Sequence, residues 1–309
     1  MRARIFRPFT LSFSVLLIVA SFAGALAQTG AQRRRRPLAQ GKSTAIFNYV
    51  EYGGIPTLMP VLLMQGLGRY VAPPAFNSKA ARRRFAETYY RPGQKYRLFS
   101  RGNEVGTATV KKLNDCDAMA AEVEVNSPET IRNSDEGVLT MSAGAPVFKA
   151  AERRDPTDAE GAALLKIVQP FFRRRGLDAP EIGGVASWLR ATDLDGDGLA
   201  ELVGFFATGA KSQHTLFIIA EPQGKGFKAA LVLFHPSRDK WGDDGQHQQF
   251  VDAVDLDGDG LFELITSGND PRSTNDFTYI VYKKQGGRWR SVYVGGGLKC
   301  ASESGGEVY

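Results

Sequence analysis

The stretches Asp193-Leu-Asp-Gly-Asp-Gly-Leu-Ala-Glu201 and Asp255-Leu-Asp-Gly-Asp-Gly-Leu-Phe-Glu263 each place four carboxylates within nine residues. Four negative charges at that spacing repel, so such a loop must raise some carboxylate pKa values, open out, or take up a cation. Oxygen-only ligands favour a hard divalent ion, Ca²⁺ first. In the first loop Asp193, Asp195 and Asp197 supply side chains on alternate residues, Leu199 its backbone carbonyl, and Glu201 closes the shell. In the second the same roles fall to Asp255, Asp257, Asp259, Leu261 and Glu263. Gly196, Gly198, Gly258 and Gly260 permit the positive φ of a tight wrap. The plainer reading is an acidic hairpin turn, since Asp-Gly is a favoured turn dipeptide. Recurrence of every ligand position in two copies argues against it, and the expectation is two Ca²⁺ sites.

An EF-hand begins in the same way but closes with a Glu at loop position 12 between two helices. Here that position is Gly204 or Thr266, and the flanks, such as Leu202-Val-Gly-Phe-Phe-Ala, are aromatic and β-branched, as in strands. A nine-residue D-x-D-x-D-G-x-x-E loop joining two strands resembles the FG-GAP or VCBS-like repeats of integrin α-chain propellers and of secreted bacterial proteins. The resemblance covers roughly residues 183 to 297. It implies Ca²⁺ as cofactor and an adhesion-like role, with a protein or glycan as partner.

The loops recur 62 residues apart, from Asp193 to Asp255, inside a longer internal repeat. Each unit reads as four strands: 185–193, 201–207, 214–221 and 227–235, then 249–255, 263–267, 276–283 and 289–294. Four strands per unit suggest propeller blades, yet propellers close with about four to eight of them and only two units are visible. The N-terminal half offers a further run of strands, 95–100, 104–113, 119–125 and 138–141, without an acidic loop. The fold class expected is therefore mainly β: at least two propeller-blade-like, four-stranded antiparallel repeats (179–300), an N-terminal β-rich region (44–178) and one amphipathic helix. That helix is placed at 158–175, where Thr157 and Glu160 form a capping box and Leu164, Ile167, Val168 and Phe171 recur at helical spacing, with Pro170 expected to kink it. The basic stretch 78–90 reads as a short helix whose apolar positions face a core.

Residues 1–27 read as a secretory signal peptide: Arg2, Arg4 and Arg7 precede an apolar run, and Ala25-Leu-Ala27 fits a cleavage site. This places the protein in the periplasm or outside the cell. An uncleaved membrane anchor is the alternative, and without it no membrane association is expected. The formal charge of +6 includes those three arginines. A further four, Arg33 to Arg36, lie in a leader (28–43) read as solvated and flexible, and nucleic acid is not an expected partner because no basic face with interleaved aromatics accompanies them. Cys116 and Cys300 are either bridged or two buried free thiols. The tail 301–309 is small and polar.

Catalytic signals are sparse. The histidines His214, His235 and His247 lack zinc-binding spacing, and neither a nucleophile elbow nor a phosphate loop is present. A non-enzymatic binding protein is the first expectation. An extracellular enzyme with its active site in the N-terminal half and the repeats as scaffold is the alternative.

Overall fold

The computed structural model describes residues 43–66, 68–74, 78–101, 103–114, 119–127, 137–142, 148–177, 188–208, 214–235, 248–268 and 278–297. The signal segment, the Arg33 to Arg36 leader, both cysteines, His247 and the tail lie outside them.

Gly53 and Gly54, both at positive φ (59° and 78°), make the two-residue turn that folds β1 (Thr44–Tyr52) back onto β2 (Ile55–Gln65). Pro60 does not break β2, because the register shifts there and Val61 stands opposite no residue of β1. Beyond β2 come β3 (Arg69–Val71), β4 (Lys95–Ser100), β5 (Asn103–Leu113), β6 (Ala121–Asn126) and β7 (Val138–Met141). The antiparallel order β1-β7-β4-β5-β6-β2 closes through the β1–β2 pairing into a six-stranded barrel, with β3 added to the far end of β2. The N-terminal β-rich region is thus a ring in itself, and its run of strands does not form a third four-stranded meander. Alternate residues fill it: Ala45, Phe47 and Tyr49 from β1, Tyr96 and Leu98 from β4, Val123 and Val125 from β6. Helix α1 (Lys79–Tyr89) adds Phe85 and Ala86 to this core, with the Phe85 ring 6.3 Å from Phe47.

The repeats fold as two four-stranded antiparallel meanders. The first holds β9 (Trp188–Thr192), β10 (Glu201–Thr208), β11 (His214–Gln223) and β12 (Gly226–His235); the second holds β13 (Gln248–Val254), β14 (Glu263–Gly268), β15 (Thr278–Gln285) and β16 (Arg288–Gly295). Period-two alternation sends successive residues into different cores. Val203 and Phe205 of β10 meet Leu264, Ile280 and Tyr282 between the meanders. Leu202 and Phe206 face helix α2 (Asp158–Arg173) instead, packing on Leu164, Val168 and Phe172. On the other side, Ile265, Tyr279 and Val281 pack on the barrel residues Ile46, Met59 and Leu62. The order of layers is therefore α2, first meander, second meander, barrel. The capping box of Thr157 and Glu160 is formed as expected, but α2 ends at Arg173, two residues early, where Leu177 N–H donates back to the Phe172 carbonyl (3.2 Å).

One segment covers two sheet edges. Lys149 and Ala151 hydrogen-bond beside β13, and β8 (Arg153–Arg154) then pairs with β9. Between these contacts Arg153 is buried, with Nη1 3.6 Å from Asp252 Oδ1 and donating to the Val251 carbonyl (3.2 Å), and its guanidinium over the Phe250 ring.

Candidate metal centre

Each acidic loop connects the first and second strands of its meander, and most hydrogen bonds recur in both, although the bond from Gly196 N–H to Asp193 Oδ1 has no counterpart at Asp255 Oδ1. The first Asp bends the loop around its own carboxylate: Gly196 and Gly198 N–H donate to Asp193 (2.7 and 2.9 Å), and Gly260 N–H donates to Asp255 (3.1 Å). The third Asp takes the next amide, Leu199 N–H on Asp197 (2.7 Å) and Leu261 N–H on Asp259 (3.0 Å). All four predicted glycines lie at φ between 75° and 90°, where a side chain would be strained. Leu194 and Leu256, between the first two acids, are buried and anchor the loops to the core.

These turns bring the side-chain oxygens of Asp193, Asp195 and Asp197 within 4.8 Å of one another, and those of Asp255, Asp257 and Asp259 likewise, so either triad could hold a metal ion. Glu201 and Glu263 lie beneath them, 1% and 0% exposed. One oxygen of each, Oε2, accepts the N–H of Leu194 or Leu256 at 2.7 Å, which leaves Oε1 as the oxygen available to a cation. Burial pushes both Glu carboxyls up to about 7. Burial likewise raises Asp255, whereas for Asp259 the effect of burial is more than offset by Leu261 N–H and a nearby ammonium. Leu199 and Leu261, expected to offer carbonyls, are fixed through their N–H groups, and the Leu199 side chain is exposed.

The ammonium belongs to Lys283 of β15, a group the sequence reading did not single out. Its Nζ lies 2.7 Å from Asp257 Oδ2, 3.0 Å from Asp259 Oδ2 and 2.5 Å from Glu263 Oε1, and so marks the point on which the second loop's oxygens converge. Tyr70 of β3 adds a buried hydroxyl beside this cluster, its pKa raised by burial and by the negative charge of Glu263 and Asp257. A Cβ on Gly68 would stand 2.9 Å from Asp257 Oδ2, so the β2–β3 turn lies directly over the site. The first loop is served from outside its own sheet, by Lys284, whose Nζ is 2.8 Å from both Asp195 Oδ2 and Glu221 Oε1. Strand registers equate Leu202–Ala220 with Leu264–Tyr282, so Glu221 occupies in the first repeat the position of Lys283 in the second. The loops match, while the strand beneath them carries opposite charge.

The two sites adjoin: Phe262 N–H donates to the Leu194 carbonyl (2.9 Å), linking loop to loop. Comparison with protein-family models, with curated proteins and with solved structures finds no match to this chain. Among the described residues, the eight loop carboxylates face two lysines. Asp195 Oδ1, Asp255 Oδ1 and Asp257 Oδ1 are buried without a hydrogen-bond partner, although a buried carboxylate oxygen normally has one. An oxygen set of this kind suits a hard cation better than a soft one. Among the described residues no His or Cys joins either triad.

Proposed function

We propose that the protein is a secreted or periplasmic, non-enzymatic Ca²⁺-binding repeat protein of the FG-GAP or VCBS-like kind, in which the metal fixes two adjacent loops at one end of the paired meanders. The observation that carries this reading is the set of three buried, unpartnered carboxylate oxygens on Asp195, Asp255 and Asp257. A divalent oxygen-seeking ion satisfies such atoms and offsets the excess of acid over lysine. The apparent signal peptide supports export, and millimolar Ca²⁺ outside the cytoplasm is compatible with the affinity of about 10⁻⁴ to 10⁻³ M usual for extracellular modules. The four-stranded meanders are compatible with blades, and loops rigidified by Ca²⁺ would present a fixed surface to a protein or glycan.

The lysines rank the two sites. Lys283 is 6% exposed and contacts three carboxylates of its own loop, so Ca²⁺ there must displace it. Lys284 contacts one loop carboxylate, and Glu221 adds an acid nearby, so the first loop is the tighter site. Equilibrium dialysis of Asp195→Ala and Asp257→Ala tests this reading. Each variant is expected to lose about one equivalent of bound Ca²⁺; unchanged stoichiometry in both would refute it.

A further inference from the structure

Tyr70 lies on β3, the short strand that the barrel adds to the end of β2 through the pairs Leu63–Val71, Met64–Tyr70 and Gln65–Arg69. Its ring packs on the core shared by the barrel and the second meander, which includes Met59, Tyr279 and Val281. That packing carries the hydroxyl out of the barrel and beside the Glu263, Asp257 and Asp259 carboxylates of the second acidic loop. Gly68, two residues earlier, approaches the same loop so closely that a Cβ there would stand 2.9 Å from Asp257 Oδ2.

Two buried polar atoms at this point make no hydrogen bond of normal geometry: Tyr70 Oη, a donor, and Asp257 Oδ1, an acceptor. Asp255, 9% exposed, adds a third in its Oδ1. A buried hydroxyl ordinarily has a partner, and leaving it without one costs free energy. Among the neighbouring carboxylates, the charge of Glu263 acts most strongly on Tyr70. Glu263 Oε2 accepts the Leu256 N–H and Oε1 lies 2.5 Å from Lys283 Nζ. A carboxylate oxygen can accept a second hydrogen bond, so Glu263 retains capacity for the hydroxyl. Metal-ligating carboxylates are in general oriented by hydrogen bonds from an outer ring of residues, and losing one such bond typically costs about 10–100-fold in metal affinity.

We propose that Tyr70 is a positioning residue of the second metal site, donating its hydroxyl to the Glu263 carboxylate when a divalent cation replaces the Lys283 ammonium. This role rests on the reading of the loops as Ca²⁺ sites. Glu263 begins β14 of the second meander and Tyr70 belongs to the barrel, so the bond ties one sheet to the other. Ca²⁺ at the second loop thereby holds down an edge strand that has three paired residues of its own. Ca²⁺ at the first loop acts between the meanders, where Lys284 of β15 reaches Asp195.

Calorimetric Ca²⁺ titration of Asp195→Ala, which keeps the second loop intact, and of Asp195→Ala/Tyr70→Phe measures the contribution of the hydroxyl. Its removal should weaken Ca²⁺ at the second loop by at least about tenfold. Adding Tyr70→Phe to Asp257→Ala, where the first loop is the intact one, should leave the affinity unchanged. Phe keeps the ring and the hydroxyl has no hydrogen bond to lose in chelator, so unfolding midpoints in chelator should match. A lowered midpoint would assign the loss to packing and overturn the proposal. Hydrogen exchange gives a second readout: Ca²⁺ should slow the amides of residues 69–71 by at least about fivefold in Asp195→Ala and leave them unchanged in Asp257→Ala. Equal second-loop affinity with and without the hydroxyl, or an equal loss at both loops, would overturn the proposal while leaving two Ca²⁺ sites standing. A wild type that binds no Ca²⁺ would overturn the reading of the loops and Tyr70's role with it.

Discussion

Lys283 and Lys284, neighbours on β15, send their ammonium groups into different acidic loops: Lys283 Nζ lies 2.5 Å from Glu263 in its own repeat, and Lys284 Nζ lies 2.8 Å from Asp195 in the other. Strand alternation is the cause, since consecutive side chains leave a strand on opposite faces. Tyr279 and Val281 already point to the barrel, and Ile280 and Tyr282 to the first meander. Two residues of one strand thus compensate charge in both repeats.

Replacing Lys283 with Met should therefore have opposite effects with and without metal. In chelator, Glu263 and Asp257 lose their buried partner, and stability should fall by about 3–5 kcal/mol. With Ca²⁺ most of that loss should return, and the second loop should bind more tightly than in the wild type by on the order of tenfold. Urea unfolding of both proteins in chelator and in Ca²⁺ measures this, and equal midpoints in chelator would contradict it.

Arg153 and Asp252 form a buried pair at the junction of both meanders, with side chains 1% and 2% exposed. Arg153→Met should cost about 3–5 kcal/mol because it leaves a buried carboxylate without its cation. Denaturant unfolding provides the check, and a loss below about 1 kcal/mol would mean that water reaches Asp252.

Gly296, at φ 69°, sits against the bulge in β2: a Cβ there would lie 2.2 Å from the Val61 carbonyl oxygen. Gly296→Ala should cost at least about 1–3 kcal/mol from the left-handed backbone alone. The clash would also disturb the adjoining bonds from Gly297 N–H to Pro60 O and from Tyr293 Oη to Val61 O, each near 2.8 Å. Thermal unfolding of the variant measures the effect; an unchanged Tm would show that this junction is not a packing contact.

The start of α2 should respond to acid. Hydrogen bonds from Arg154 hold the Glu160 carboxyl at about 2, below its ordinary value of 4.5. A depressed folded-state pKa gives stability that is complete above pH 4.5 and is lost as pH falls towards 2. Glu160→Gln should remove that part of the acid dependence, and Thr157→Ala should cost about 1 kcal/mol through the lost cap. Unfolding midpoints between pH 2 and 6 decide both.

The repeats were legible because their signals are local. Strand runs between Asp-Gly loops gave all eight meander strands within a few residues, and the Thr157–Glu160 box gave the helix start. The barrel was harder to read. Gly53-Gly54 is a hairpin turn between two strands that pair along their length, and Pro60 sits at a bulge in β2 with its carbonyl accepting the Gly297 N–H, a contact 237 residues away in sequence. The Asp triads could be read from spacing. Lys283, Lys284, Glu221 and Tyr70 could not, since each reaches its loop through strand register or sheet packing; a Lys-Lys pair ending an apolar strand was the one available hint.

The most direct test of the central claim is calorimetric Ca²⁺ titration of the chelator-stripped protein, with thermal unfolding recorded before and after. Two unequal sites, the tighter one abolished by Asp195→Ala, together with a raised Tm, are the result this account predicts. Absence of binding heat together with an unchanged Tm would contradict it, and would leave Lys283 and Lys284 as the permanent counter-ions of two acidic turns.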